Sequence, residues 1–180
     1  AEGVHIRPGL PARNRPAGRA WGGRIRALDT LEKVLTEYAE RGVFRGFSAQ
    51  PEASSFRMLW HRNQFFDLIF DAKTKTLRIP AVMPSVDAEM YVHYKEFVKE
   101  RFSVAMPEHR RIDRKKARAR TALKGGKVAL AMVAADGDLE YALRKLIHLV
   151  HETYMVFLYD GRYYNYLIET FGLDPDTLAG

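Results

Sequence analysis

His148, His151 and Glu152 are the residues of this chain whose types and spacing first invite chemistry. Imidazole and carboxylate are zinc ligands, and residues three or four apart share a helical neighbourhood. The order His-Leu-Val-His-Glu is not the His-Glu-x-x-His arrangement of zinc hydrolases. With Ile147 at the centre of the local apolar stripe, His151 falls about 40° from it and Glu152 about 140°, so the two diverge. The reading is a packed border histidine beside a solvated glutamate, with no metal and no cofactor site.

Anion binding is the next chemistry on offer. Arg110, Arg111, Arg114, Lys115, Lys116, Arg118 and Arg120 follow one another with only one acid, Asp113, among them. Closely spaced cations release counterions on contact with a polyanion, which makes this stretch a candidate for nucleic acid. The competing reading is a solvated linker and an edge strand, in which charges discourage aggregation. A second group, Arg7, Arg13, Arg15, Arg19, Arg24 and Arg26, lies between Glu2 and Asp29 with no acid inside it. Tyrosines gather near the C-terminus, and Tyr supplies rigid apolar area with a hydroxyl, suited to protein interfaces and base stacking. Tyr154 and Tyr163 fall on apolar stripes and read as core; Tyr159 and Tyr164 are the candidates for a protein-binding patch.

Motifs of catalysis are missing. There is no Gly-x-Ser-x-Gly elbow, phosphate-binding loop or Gly-x-Gly-x-x-Gly, and the paired acids Asp67 with Asp71 and Asp136 with Asp138 suit strand ends and turns. A non-enzymatic protein is therefore expected.

The elements that would position these residues are legible as periodicities. Phe56/Met58/Trp60, Phe66/Leu68/Phe70 and Leu77/Ile79/Ala81 alternate with period two, which predicts three half-buried strands in an antiparallel meander with turns at Arg62-Asn63 and 72–75. Before them, Ile25, Leu28, Leu31, Leu35 and Tyr38 predict a helix from about Arg24 or Asp29 to Arg41, with Asp29 and Glu32 spaced as a capping box. After them, Ser85 is the expected cap of a second helix carrying Val86, Met90, Tyr94, Phe97, Val98 and Phe102. Two strands, 117–123 and 128–134, flank Gly125-Gly126, a pair suited to a tight hairpin turn. Asp138 is expected to cap the strongest helical stripe, from Leu139 through Leu158. A short helix over 162–171 should end at Gly172.

Composition bounds the rest. A chain of 180 residues has room for one domain with a sizeable core, and 47% hydrophobic with 28% charged residues is a globular composition. Residues 1–23, rich in Pro and Gly, predict an extended basic arm, and 24–180 a single α+β domain. The arm's arginines resemble an organellar presequence, whereas its prolines and scarce serine argue against one. No apolar run is long enough to span a membrane. The absence of cysteine excludes disulfides and thiol chemistry and fits a reducing, cytoplasmic setting. A net charge of +7 favours anionic partners.

The order helix, three strands, helix, two strands, helix resembles the type III secretion chaperone-like fold, which includes the YbjN-like family. The resemblance spans residues 25–160 and rests on the order of elements. It implies a binding protein, often a homodimer, that holds extended segments of partner proteins. This chain is basic where secretion chaperones are commonly acidic. The expected function is a protein-binding module, adaptor or chaperone-like and self-associating. The alternative is a nucleic-acid or ribonucleoprotein-associated protein using the arm and the 110–120 cluster.

Overall fold

A computed structural model describes residues 18–174. Residues 1–17 of the expected arm, with Arg7, Arg13 and Arg15, lie outside the described residues. The remainder of the arm is helical: α1 (Gly18–Glu40) begins before the expected start, and Asp29 is an exposed mid-helix residue and not a cap. Arg24 accounts for the extension. Its guanidinium donates to the Pro51 carbonyl at 2.8 Å and sits 4.9 Å from the Trp21 ring. These contacts act against the cost of Gly22 and Gly23, about 1 kcal/mol each in a helix interior.

The three predicted meander strands are present as β2 (Ser55–Leu59), β3 (Phe65–Asp71) and β4 (Thr76–Met83), and β1 (Gly46–Gln50) precedes them. β1 offers only Phe47 and Ala49 as alternating apolar positions. They reach the core side because Phe47 pairs with Met58 and Ala49 with Phe56. β5 (Ala117–Lys124) and β6 (Lys127–Ala134) form the predicted hairpin, whose turn uses Gly125 and Gly126 at φ of +57° and +75°. All six strands join one antiparallel sheet of order β1-β2-β3-β4-β6-β5, so the chain is a single-domain α+β fold. The β4–β6 register shifts between Ile79 and Met83, around Pro80, which has no N–H to give a ladder.

Period-two alternation sends Phe56, Met58, Phe66, Leu68, Phe70, Leu77, Ile79, Leu130 and Met132 to one face, where all are buried. Helices cover that face. α3 (Leu139–Glu152) lies on β4 and β6 with α1 beside it, and its stripe of Leu143, Leu146, Ile147 and Val150 is interior as predicted. Asp138 caps α3 through Tyr141 N at 3.0 Å. Arg57, Phe65, Asp67, Arg78, Arg118 and Arg120 occupy the opposite face; Phe65 is 66% exposed there.

α2 (Ala88–Glu100) carries the chain from β4 to the far edge at β5. Its cap is Asp87, which accepts from Met90 N at 2.8 Å, and not Ser85, whose φ of +55° puts it in the turn before. Past α3, Thr153–Leu158 winds as a π-helical turn, held by the Tyr154 hydroxyl donating to Val82 O at 2.6 Å and by the Tyr94–Thr153 hydroxyl pair at 3.0 Å. α4 (Tyr164–Phe171) follows and ends at Gly172 with φ of +60°. Among the described residues no helix is long and apolar enough to cross a membrane.

Candidate binding cleft

The edge strand β5 follows a basic sequence, and α2 runs beside it. Lys95 and Lys99, one helical turn apart, line a cleft of about 500 Å³ together with Arg114 and with Arg118 and Arg120 of the β5 edge. Val98, Phe102, Ala117, Ala119 and Thr121 supply its apolar and neutral lining, and among the described residues no acidic side chain lines it. Tyr91 fastens the helix to the strand through the Thr121 hydroxyl at 3.1 Å. The Arg114 guanidinium is positioned 5.1 Å from the Phe102 ring.

β5 pairs with β6 alone. In a two-residue hairpin the residues flanking the turn exchange both backbone bonds, and the pattern alternates from there. Counted from Lys124 and Lys127, the even residues of β5 bond to β6. The odd residues Ala119, Thr121 and Leu123 aim N–H and C=O outward, alongside the cleft. At the near end, Ala117 N is satisfied by Asp113 O at 2.9 Å. The site therefore combines an available main-chain edge with a cation-lined cleft.

The seven cations expected as one patch divide among different tasks. Arg114, Arg118 and Arg120 line the cleft. Arg110 turns inward and gives Glu152 two hydrogen bonds, at 3.3 and 3.1 Å. Arg111 donates to Val104 O at 3.5 Å, and Lys116 lies 3.9 and 3.7 Å from the carboxylates of Asp136 and Asp138. Lys115 faces a neighbouring shallow groove together with Glu108 and Asp113. Lys95 and Lys99 were not singled out by the sequence reading. Their only local signal is i,i+4 spacing on the polar side of α2, and their nearness to β5 is tertiary.

Glu152 and His151 exchange the places expected of them. Glu152 is buried, and His151 is exposed. The Glu152 carboxylate meets Arg101 at 2.9 Å, Arg110 at 3.1 Å and His148 Nε2 at 2.7 Å. Burial alone would raise its pKa, but the hydrogen bonds from His148 and Arg110 and the charge of Arg101 outweigh that and hold it at about 2. Arg101 also lies 3.9 Å from the Phe97 ring. This cluster is an interior cross-link between α3 and the segments on either side of Met106, and its carboxylate has no room for a ligand. Among the described residues no group of three or more His, Asp or Glu side chains is placed to hold a metal ion.

Tyr159 and Tyr164 do come together, edge to face with ring centroids 5.8 Å apart, and Tyr159 is 38% exposed. Tyr154 is core as expected; Tyr163 is only partly buried and bonds His93. The α4 region meets α2 through Arg162 with Glu89 and Tyr163 with His93, whereas the cleft uses Lys95, Val98 and Lys99. The tyrosine pair and the cationic cleft thus lie on different flanks of α2. No protein-family model, curated protein or solved structure matches this chain.

Proposed function

We propose that this protein is a non-catalytic binding module, adaptor or chaperone-like, that receives an extended acidic segment of a partner protein along β5. One observation carries the reading: Lys95, Lys99, Arg114, Arg118 and Arg120 line a cleft that no carboxylate lines among the described residues, beside a strand edge with main-chain groups to offer. Main-chain bonds to an edge strand supply affinity for any extended peptide, and flanking side chains supply selection. Here the flanking charge selects acidic side chains on both sides of the added strand. The bare face of the sheet, with Phe65 exposed on it, supports contact with a further protein surface.

The test is fluorescence anisotropy with a labelled peptide alternating Glu and Val, a Gln/Val isostere and a single-stranded oligo(U) RNA. The Glu/Val peptide should bind and the isostere should not. Lys95→Glu with Lys99→Glu should weaken binding by about tenfold or more, the equivalent of about 1.4 kcal/mol. Tighter binding of the RNA, with a steep log–log salt slope lost in the same variant, would overturn the reading in favour of a nucleic-acid partner.

A further inference from the structure

The histidines singled out in the sequence have a second setting that the β5 cleft does not use. His148 and His151, on α3, line a separate cleft of about 610 Å³ with His61, and Tyr38, Arg41 and Arg45 also contribute to it. Among the described residues no carboxylate lines this space. Glu152, adjacent to His151, is occupied by Arg101, Arg110 and His148, and Glu37 is held by Arg144 at 2.6 Å. Two guanidiniums and the imidazoles of His61 and His151 therefore gather around open volume without a counter-charge of their own, His148 being paired with Glu152.

His61 is the most constrained of them. Its ring stacks on Trp60 at 4.6 Å and on Tyr154 at 4.7 Å with an interplanar angle of 7°, and its centroid lies 5.4 Å from that of His151. The Nε2 atom is buried and has no hydrogen-bond partner. A buried polar atom without a partner is costly, and such an atom in a native fold calls for an explanation. Burial, then the charges of His151 and Arg62, push the His61 pKa down to about 3, and burial and His148 lower that of His151. Burial first, and neighbouring positive charge second, biases both imidazoles toward the neutral form.

We infer that this cleft binds a small phosphate-class oxyanion, with Arg41 and Arg45 providing charge, the exposed His151 providing an imidazole N–H group, and His61 forming the wall beside it. Guanidinium forks match the oxygens of such an anion, and its charge offsets the excess that the cleft carries. A metal ion is the less favourable occupant, since it would enter beside two guanidiniums with no carboxylate to neutralise it. The volume exceeds what inorganic phosphate fills, which favours a phosphate ester of a small molecule.

Side-chain NMR of the full chain tests this. The imidazole resonances of His61, His148 and His151 are followed while inorganic phosphate, glycerol 3-phosphate or zinc is added at constant ionic strength. Either phosphate should shift His61 and His151 saturably and move their titration midpoints upward. Tighter binding of glycerol 3-phosphate assigns the site to a small ester, and equal binding assigns it to the free anion. Arg41→Gln with Arg45→Gln, at two exposed positions, should weaken binding by about tenfold, and Lys95→Gln with Lys99→Gln in the other cleft should not change it. Shifts that never saturate, shifts that persist in the Arg41/Arg45 variant, or stoichiometric zinc uptake at the three histidines would overturn the assignment.

Discussion

Arg101 Nη1 lies 2.9 Å from Glu152 Oε2 in the interior, with 8% and 5% of their side chains exposed. An ion pair so placed contributes little net stability against an apolar pair, but removing one partner strands the other in a medium that cannot solvate it. Glu152→Gln should therefore destabilise the protein by about 3–5 kcal/mol. Urea unfolding measures it, and a loss within experimental error would show that solvent reaches Arg101.

Arg110 and Arg114, members of one basic run, should behave differently. Arg110→Ala deletes two hydrogen bonds to a buried carboxylate and should cost about 1–3 kcal/mol of stability. Arg114→Ala should leave stability nearly unchanged and weaken capture of the Glu/Val peptide. Unfolding midpoints and peptide affinity, measured on both variants, separate the two roles. Equal effects on peptide binding would mean that Arg110 also serves the cleft.

Acid should destabilise the fold in two windows. The pKa of Glu152 is depressed from 4.5 to about 2, so the stability it contributes is complete above 4.5 and is lost as pH falls toward 2. His61 is depressed from 6.5 to about 3, so the native state binds fewer protons than the unfolded chain, and stability declines as pH falls from 6.5 through 3. In His61→Gln the slope of stability against pH should flatten in the upper window, and in Glu152→Gln it should flatten in the lower. Unfolding free energies across both windows check the assignment, and an unchanged upper slope in His61→Gln would show that His61 protonates freely.

Ala119→Pro removes an N–H that the geometry of β5 directs away from β6. The fold should persist, because an edge strand tolerates proline where the donor faces outward. Peptide capture should fall by about tenfold, since the added strand loses a main-chain bond and meets the ring. Circular dichroism together with anisotropy reads both. Undiminished binding by the folded variant would place the peptide elsewhere.

Leu146 is fully buried under the centre of α3. Leu146→Ala should cost about 2–5 kcal/mol by cavity formation. A change below about 0.5 kcal/mol, the range of surface substitutions, would remove α3 from the role of principal cover.

Backbone periodicity is local, and it was readable for that reason. The alternation at Phe66/Leu68/Phe70, the Gly125-Gly126 turn, the Asp138 cap and the stripe from Leu139 to Leu158 each depend on neighbours in the chain. They suffice to determine the helices, five of the six strands and the α+β class. β1 and the first turns of α1 required partners. Phe47 has a buried side only once Met58 lies opposite, and the glycines ahead of Arg24 stay helical with that side chain anchored at Pro51. Side-chain company was decided entirely by tertiary structure. Glu152 sits about 140° from Ile147 on an isolated helix and reads there as solvated, yet the chain near Met106 folds over it and brings Arg101 and Arg110 to its carboxylate. Lys95 and Arg118 come to line one cleft, and His61 meets His151, through packing between elements distant in sequence. A side chain's chemistry depends on solvation and on charges within a few ångströms, and those are properties of the assembled fold.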